Sequence, residues 1–247
     1  RLTGADDFPS DFFYGYVQLA ARDGGIVLLD DDDFGLGDRY GVGWKLLSIT
    51  SHALGGIHLW AVRRLAPPAI RTVLNEYDVL VATTNTFGLS LALLKRVGLL
   101  DARVVFIAMG IADLVERPTR RWVCRWLLDA VHTVTISKGE CRHLRKILSP
   151  RSRVTYVPFG VDSRFWTPGP EGSATPYILS IGNDPRRDYA TLLTAWQLDF
   201  PLLKIVTGQT LPVTENVEII AGDWREKLLS DDEIRQLYRD ALFVVLP

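Results

Sequence analysis

Two arginines follow an apolar run in the second half of the chain, at a place suited to binding an anion. The run 177–181 (YILSI) predicts a buried strand, and Gly182 and Asn183 come directly after it. Arg186 and Arg187 follow within the same polar turn. A glycine at a strand end lets a ligand approach the backbone, and forked guanidinium donors match phosphate oxygens. We therefore predict that this turn binds a phosphate-bearing ligand.

The helix predicted after this turn bears on the same hypothesis. It runs from about Tyr189 to Trp196, and its first N–H groups would point towards the bound anion. The alternative is a solvated surface turn in which Arg187 pairs with Asp184 or Asp188. The alternative is the commoner outcome for such a short segment alone, whereas the flanking sequence favours the anion site.

Longer segments around the turn carry a family resemblance. The run 158–168 (PFGVDSRFWTP) resembles the P-x-G-V-D-x-x-x-F-x-P signature of retaining GT-B glycosyltransferases of family four. The run 181–195 resembles that family's V-G-R-x-x-x-x-K-G-x-x-x-L-I-x-A segment, one residue shorter, with Asn183 at the usual arginine and Arg187 at the usual lysine. Three further segments continue the pattern in order: 204–208, 216–222 and 230–247. The resemblance covers the chain from about 78 to 247.

The resemblance implies the GT-B architecture, an α/β fold with two Rossmann-like parallel-sheet domains, the second incomplete. Apolar strands that alternate with helices favour parallel sheets on their own account. We expect an acceptor-side domain over 1–167, a linker over 168–175, and a partial nucleotide-sugar-binding domain over 176–247. The predicted strands are 78–84, 104–109, 132–137, 153–160, 177–182, 204–208, 217–222 and 243–247.

The resemblance also implies roles for individual residues. Arg187 is the expected catalytic residue, because its charge would stabilise the departing diphosphate without a metal ion. The expected donor-binding residues are Gly182, Asn183, Arg186 and Arg187 at the diphosphate, Gly208 at the pocket border, and Asp223 and Trp224 at the nucleobase. On the acceptor side we expect Gly110 and Asp113, with Met109 where many members have a histidine. No cofactor is expected, since the nucleotide sugar is a substrate.

The implied reaction is transfer of a hexose-like unit from a nucleotide diphosphate sugar to a hydroxyl acceptor, with retention at the anomeric carbon. The acceptor would be a lipid-linked carrier or a saccharide. The family's paired glutamates, eight positions apart, would follow Pro247, and its first strand would precede Arg1. We therefore expect a fragment trimmed at both ends, with little activity alone.

Two other functions stay open at this point. One is a nucleotide-sugar epimerase of the same fold, which needs acid and base side chains; the chain has only 4 histidines, which disfavours it. The other is a non-catalytic relative that binds a nucleotide or a partner protein.

Composition limits the classes of partner and compartment. The chain has 247 residues, 47% of them hydrophobic, and a formal net charge of −1, so its overall charge does not attract nucleic acid. The two cysteines, Cys124 and Cys141, lack metal-ligand spacing and suit a reducing compartment. No apolar run reaches the length of a membrane span. We expect a cytoplasmic protein.

The segment 116–128 (ERPTRRWVCRWLL) combines four arginines with Trp122 and Trp126, one helical turn apart. Such a helix could make weak peripheral contact with the anionic inner face of a membrane. The favoured interpretation is the ordinary one, in which both tryptophans pack into the core and the arginines face water.

Overall fold

The computed structural model describes residues 15–23, 25–27, 29, 57–116, 118–169, 176–212, 214–222 and 229–247. They form an α/β structure with two four-stranded, entirely parallel sheets. The chain divides into two compact units, one built from Leu19–Gly160 and one that includes Val161–Pro247.

The first sheet has its strands in chain order, β1-β2-β3-β4. The elements up to its end are α1 (Tyr16–Asp23), α2 (Leu59–Leu65), α3 (Pro68–Asn75), β1 (Val79–Ala82), α4 (Asn85–Arg96), β2 (Arg103–Ala108), α5 (Ala112–Val115), α6 (Pro118–Leu128), β3 (His132–Thr135), α7 (Lys138–Ile147) and β4 (Arg153–Tyr156). Each strand is followed by a helix before the next parallel strand, as crossover connections require.

The core of the first unit lies between this sheet and its helices. Leu89 of α4, Phe106 of β2, Leu127 of α6 and Leu144 of α7 are all fully buried in one cluster. The approach of α4 to β2 depends on Gly88, because a Cβ there would lie 2.0 Å from Cδ2 of the Phe106 ring. A glycine therefore sets how closely this helix packs on the sheet.

The second sheet has the order β7-β6-β5-β8. Its elements are β5 (Tyr177–Ile181), α8 (Tyr189–Ala195), β6 (Leu202–Thr207), β7 (Val217–Ala221), α9 (Asp231–Asp240) and β8 (Ala241–Val244). The chain adds β6 and β7 on one side of β5 and then returns to place β8 on the other. The strand order thus reverses beside β5, and open parallel sheets characteristically bind ligands outside the carboxyl ends of the strands at such a reversal.

Alternate residues of β5 and β6 pack on opposite faces of this sheet. Ile178 and Ile205 belong to the cluster that contains the buried Tyr189 of α8. Leu179 and Val206 belong to the cluster that contacts α9. Both faces of the two central strands are therefore covered.

The segment Val161–Gly169 packs on α9. The Arg239 side chain donates from Nε to the Thr167 carbonyl at 2.9 Å and from Nη2 to Thr167 Oγ1 at 2.6 Å. The Trp166 ring meets the Tyr238 ring edge-on, with 5.9 Å between centroids. This segment is therefore a packing element of the second unit.

Every strand expected from the sequence is present, most of them shorter at an end by one or more residues. Ser137 caps α7 by accepting the Glu140 N–H, and Ser230 with Glu233 forms a capping box at α9. Two helices, α3 and α5, were not anticipated. None of the described helices is long and apolar enough to cross a membrane.

Replacing Gly88 with alanine is expected to destabilise the protein by about 1–3 kcal/mol, because the new methyl group would overlap the Phe106 ring. The matched control is Gly139→Ala in α7, where the nearest atom to the added Cβ is Ser137 Oγ at 3.5 Å. Alanine should stabilise that helix by up to about 1 kcal/mol. Urea unfolding of both variants checks the pair, and equal effects would contradict the packing argument.

Candidate functional site

Gly182 lies at the carboxyl end of β5, beside the reversal in strand order. Its N–H donates to the Val206 carbonyl at 3.0 Å, and its own carbonyl accepts from the Tyr189 hydroxyl at 2.9 Å. Its φ of +151° belongs to a region that side-chain-bearing residues rarely adopt. The sequence therefore needs glycine here for backbone conformation as well as for space.

The guanidinium group of Arg187 lies directly against Gly182. A Cβ built on Gly182 would stand 3.0 Å from Arg187 Nη2 and 3.1 Å from Nε. Arg187 forms no ion pair with any carboxylate of the described residues. The alternative hypothesis, a turn closed by an Arg187 ion pair to Asp184 or Asp188, is thus not found within the described part of the chain.

The two neighbouring aspartates are engaged with the backbone. The Asp184 carboxylate accepts the Arg186 N–H at 2.9 Å, which shapes the turn. The Asp188 carboxylate caps α8, accepting the Thr191 N–H at 3.1 Å and its hydroxyl at 2.7 Å. These hydrogen bonds hold the pKa of Asp188 below its usual value. The chain's own carboxylate therefore uses the Thr191 N–H, and Arg187 is the group at this turn best placed for an external anion.

Asn183 connects the carboxyl ends of three strands. Its Oδ1 accepts the Gly208 N–H and, at 3.2 Å, the Thr207 hydroxyl, both at the end of β6. Its Nδ2 donates to the Gly222 carbonyl at 2.7 Å, at the end of β7. The side chain of Asn183, a residue expected at the diphosphate, is thus bonded within the protein.

The other residues expected at the donor site differ in where they lie. Gly208 is exposed at the end of β6, which brings it to the same edge as Gly182 through Asn183. Arg186 is exposed on the turn itself. Asp223 and Trp224 lie outside the described residues.

Helix α9 adds an aromatic group near Arg187. Burial raises the pKa of the Tyr238 phenol, and the positive charge of Arg187 opposes that rise. Tyr238 in turn contacts Trp166. The Arg187 charge is therefore close enough to Tyr238 to act on its phenol.

A second candidate feature is a cleft of about 440 Å³ at the carboxyl edge of the first sheet. It is lined by Met109, Gly110, Ala112, Ile136, Ser137, Gly139, Glu140 and His143. Gly110, expected on the acceptor side, lies in this lining, whereas Asp113 lies on the exposed side of α5 and is not part of it.

The Glu140 carboxylate fixes the loop that borders this cleft. Its Oε1 accepts the Ala112 N–H at 3.1 Å and its Oε2 accepts the Gly110 N–H at 3.4 Å. From the other side, Asn85 bonds both the N–H and the carbonyl of Met109, at 3.2 and 2.7 Å. The loop after β2 is therefore held on both sides.

Glu140 and His143, which line this cleft, are not among the residues expected from the sequence. Ser137 and Glu140 stand in capping-box spacing, and His143 follows one turn later. That spacing was the available signal. The carboxylate, however, bonds the neighbouring loop instead of completing the box, which only the tertiary structure reveals.

The two sheets therefore offer different chemistry. The second presents an arginine without an ion pair among the described residues beside an accessible backbone, which suits an anion with several oxygens. The first presents an open, mostly apolar cleft whose lining also includes Ser137, Glu140 and His143. Among the described residues, no three or more His, Cys, Asp or Glu side chains are grouped to hold a metal ion.

A scan against protein-family models finds no family that matches this chain. A search of the curated proteins likewise finds no match.

Replacing Asn183 with alanine is expected to lower the free energy of unfolding by about 1–3 kcal/mol, because Gly208 N–H, Thr207 hydroxyl and Gly222 carbonyl lose their common partner. Urea denaturation measures the change. The control is Thr214→Ala, which removes only a local 3.5 Å bond to the Pro212 carbonyl. If the Asn183 variant is as stable as the control, the hydrogen bonds of Asn183 do not hold the strand ends together as we infer.

The Asp188 cap predicts a pH dependence. Its folded-state pKa lies below the unfolded value, so its stabilising effect is present above the unfolded pKa and is lost as pH falls through the folded one. An asparagine at this position would still cap α8 but would not titrate. We expect Asp188→Asn to reduce the loss of stability on acidification below about pH 4, measured as the difference between melting curves at neutral and acid pH. If Asp188→Asn and the unmodified chain lose the same thermal stability on acidification, the prediction is wrong.

Proposed function

We propose that this chain is part of a retaining GT-B glycosyltransferase that transfers a sugar from a nucleotide diphosphate donor to a hydroxyl acceptor. One observation carries the proposal: the Arg187 guanidinium lies against Gly182 at the carboxyl end of β5, where the strand order reverses. The sequence resemblance assigns the donor diphosphate to this same turn. The strand order, the charge of Arg187 and the sequence pattern thus all support the turn after β5 as the diphosphate site.

The donor would bind with its diphosphate beside Gly182. The missing side chain lets phosphate oxygens approach the backbone, and Arg187 offers forked donors at the same point. The positive charge of Arg187 at this point would favour a diphosphate over a neutral ligand. The Asn183 bonds keep the ends of β5, β6 and β7 in fixed positions around it.

In the proposed reaction, the bond between the anomeric carbon and the diphosphate oxygen breaks as the acceptor oxygen attacks from the same face. The acceptor proton passes to the departing diphosphate, and Arg187 stabilises the negative charge that develops there. The Arg187 guanidinium already lies against Gly182, where the diphosphate is proposed to bind. Retention follows from attack on the face that the leaving group vacates.

The acceptor is proposed to use the cleft at the carboxyl edge of the first sheet. Met109, Ala112 and Ile136 give it apolar walls, and Ser137 and His143 supply groups that can hydrogen-bond a hydroxyl. Glu140 is engaged by two backbone N–H groups, which suits a role in shaping the cleft rather than in proton transfer.

Replacing Arg187 with glutamine is expected to weaken binding of UDP or GDP by about 10- to 100-fold, because a charge-assisted hydrogen bond contributes about 1.5–3 kcal/mol. Calorimetric titration measures the affinity, and thermal stabilisation by each diphosphate gives a second readout. The matched control is Arg103→Gln, which removes an exposed charge from the first sheet. Arg187→Lys should keep part of the affinity.

The outcomes separate the hypotheses. Loss of diphosphate binding in Arg187→Gln alone supports the donor site. Equal affinity in both glutamine variants, or no binding of any nucleoside diphosphate by the unmodified chain, would contradict it.

A further inference from the structure

One tryptophan of helix α6, Trp122, is exposed and does not pack into the core. Trp122 is 70% exposed, although it lies in the middle of the helix. Trp126, one turn later, packs against the core of the first unit. The favoured sequence interpretation, with both rings in the core, is therefore confirmed for Trp126 and wrong for Trp122. The indole of Trp122 is a large apolar group presented to the surroundings.

The helix surface around Trp122 is strongly basic. Helices α4 and α6 together contain five basic side chains and no acidic one, in a chain whose formal net charge is −1. The basic residues are Lys95, Arg96, Arg120, Arg121 and Arg125. The Arg96 guanidinium lies 5.3 Å from the centroid of the Trp126 ring, which places the end of α4 beside α6. Cations from two helices therefore converge on one surface.

The side chains on this surface differ in how they are held. Arg121 donates to the carbonyls of Val115 and Glu116, at 2.9 and 3.2 Å, which fixes its position but keeps its charge. Arg125 is exposed and forms no ion pair with the described residues. It stands three residues after Trp122, so both side chains lie on one face of the helix.

Acidic groups border this surface, but no ion pair joins their carboxylates to Arg96, Arg121 or Arg125 among the described residues. Glu116 precedes α6, Asp101 follows α4, and Asp129 follows α6 and accepts a hydrogen bond from the Ser152 hydroxyl. None of them belongs to the two helices. Within the described part of the chain, Arg96, Arg121 and Arg125 thus keep their positive charge beside the exposed indole, which suits a negatively charged partner.

We propose that the α4–α6 surface, formed by Trp122, Arg125, Arg121 and Arg96, docks on an anionic lipid bilayer. An indole is stable at the level of lipid headgroups because its ring is apolar and its N–H is polar. Arginines extend their apolar stems along the interface while their charged ends reach the lipid phosphates. An acidic protein would satisfy the charges equally well, but a bilayer also gives the single protruding indole a place to insert without a matching pocket. The docking goes beyond the proposed sugar transfer and does not rest on it.

The test uses the whole chain with phosphatidylcholine vesicles that contain either no or about one third phosphatidylglycerol. We expect co-flotation only with the anionic vesicles, weakened by added salt. Arg125→Gln should lower the apparent affinity about fivefold, the effect of one cation near a charged membrane. Trp122→Ala should lower it about tenfold by removing the buried apolar area.

Two matched controls exclude general surface effects. Leu198→Ala removes another strongly exposed apolar side chain, and Arg151→Gln removes another exposed charge. Both should bind anionic vesicles as the unmodified chain does, and all variants should keep the same melting temperature because these side chains lie on the surface. Their UDP affinity should also be unchanged, which separates this test from that of the donor site.

Several results would overturn the proposal. One is binding that is equal for the two vesicle types, or unaffected by Trp122→Ala. Another is absence of vesicle binding together with Trp122-dependent binding of an oligouridylate or of an acidic polypeptide. A third is Trp122-dependent self-association in light scattering, without flotation.

Discussion

The candidate donor site depends on the hydrogen bonds of Asn183. This one side chain joins the end of β5 to the ends of β6 and β7, and so it sets the relative positions of Gly182, Gly208 and Gly222. Gly182 is held further by Val206 and by the buried Tyr189. The Arg187 guanidinium then finds a fixed backbone to lie against. Parallel strands bring their carboxyl ends to one edge of the sheet. At this edge, the polar side chain of Asn183 holds the ends of three strands together.

The two sheets use acidic and basic groups in opposite ways. In the second, Asp184 and Asp188 bind the backbone, which leaves the Arg187 charge for a ligand. In the first, the carboxylate of Glu140 binds the N–H groups of Gly110 and Ala112 and so organises a loop. In both places carboxylates accept backbone N–H groups that would otherwise lack a partner. The second unit keeps the Arg187 guanidinium without an ion pair among the described residues, and the first unit keeps a mostly apolar cleft.

The segment from Asp162 to Trp166 serves packing within the second unit. Asp162 accepts the N–H groups of Arg164 and Phe165, which closes a turn, and the Trp166 ring then meets α9. The Arg235 guanidinium lies 4.5 Å from the centroid of the Phe165 ring. These contacts attach the segment to the second unit.

The sequence by itself determined the strands, the parallel α/β class and the caps at Ser137 and Ser230. These follow from local rules, since buried strands need continuous apolar runs and helix ends need side-chain acceptors. The tertiary structure alone decided which polar side chains became structural. Asn183 and Glu140 bond partners 24 to 39 and 28 to 30 residues away, and no local pattern encodes such partners. It also decided the exposure of Trp122, because helical spacing gives a side chain's direction along its own helix but not whether a neighbouring element covers it.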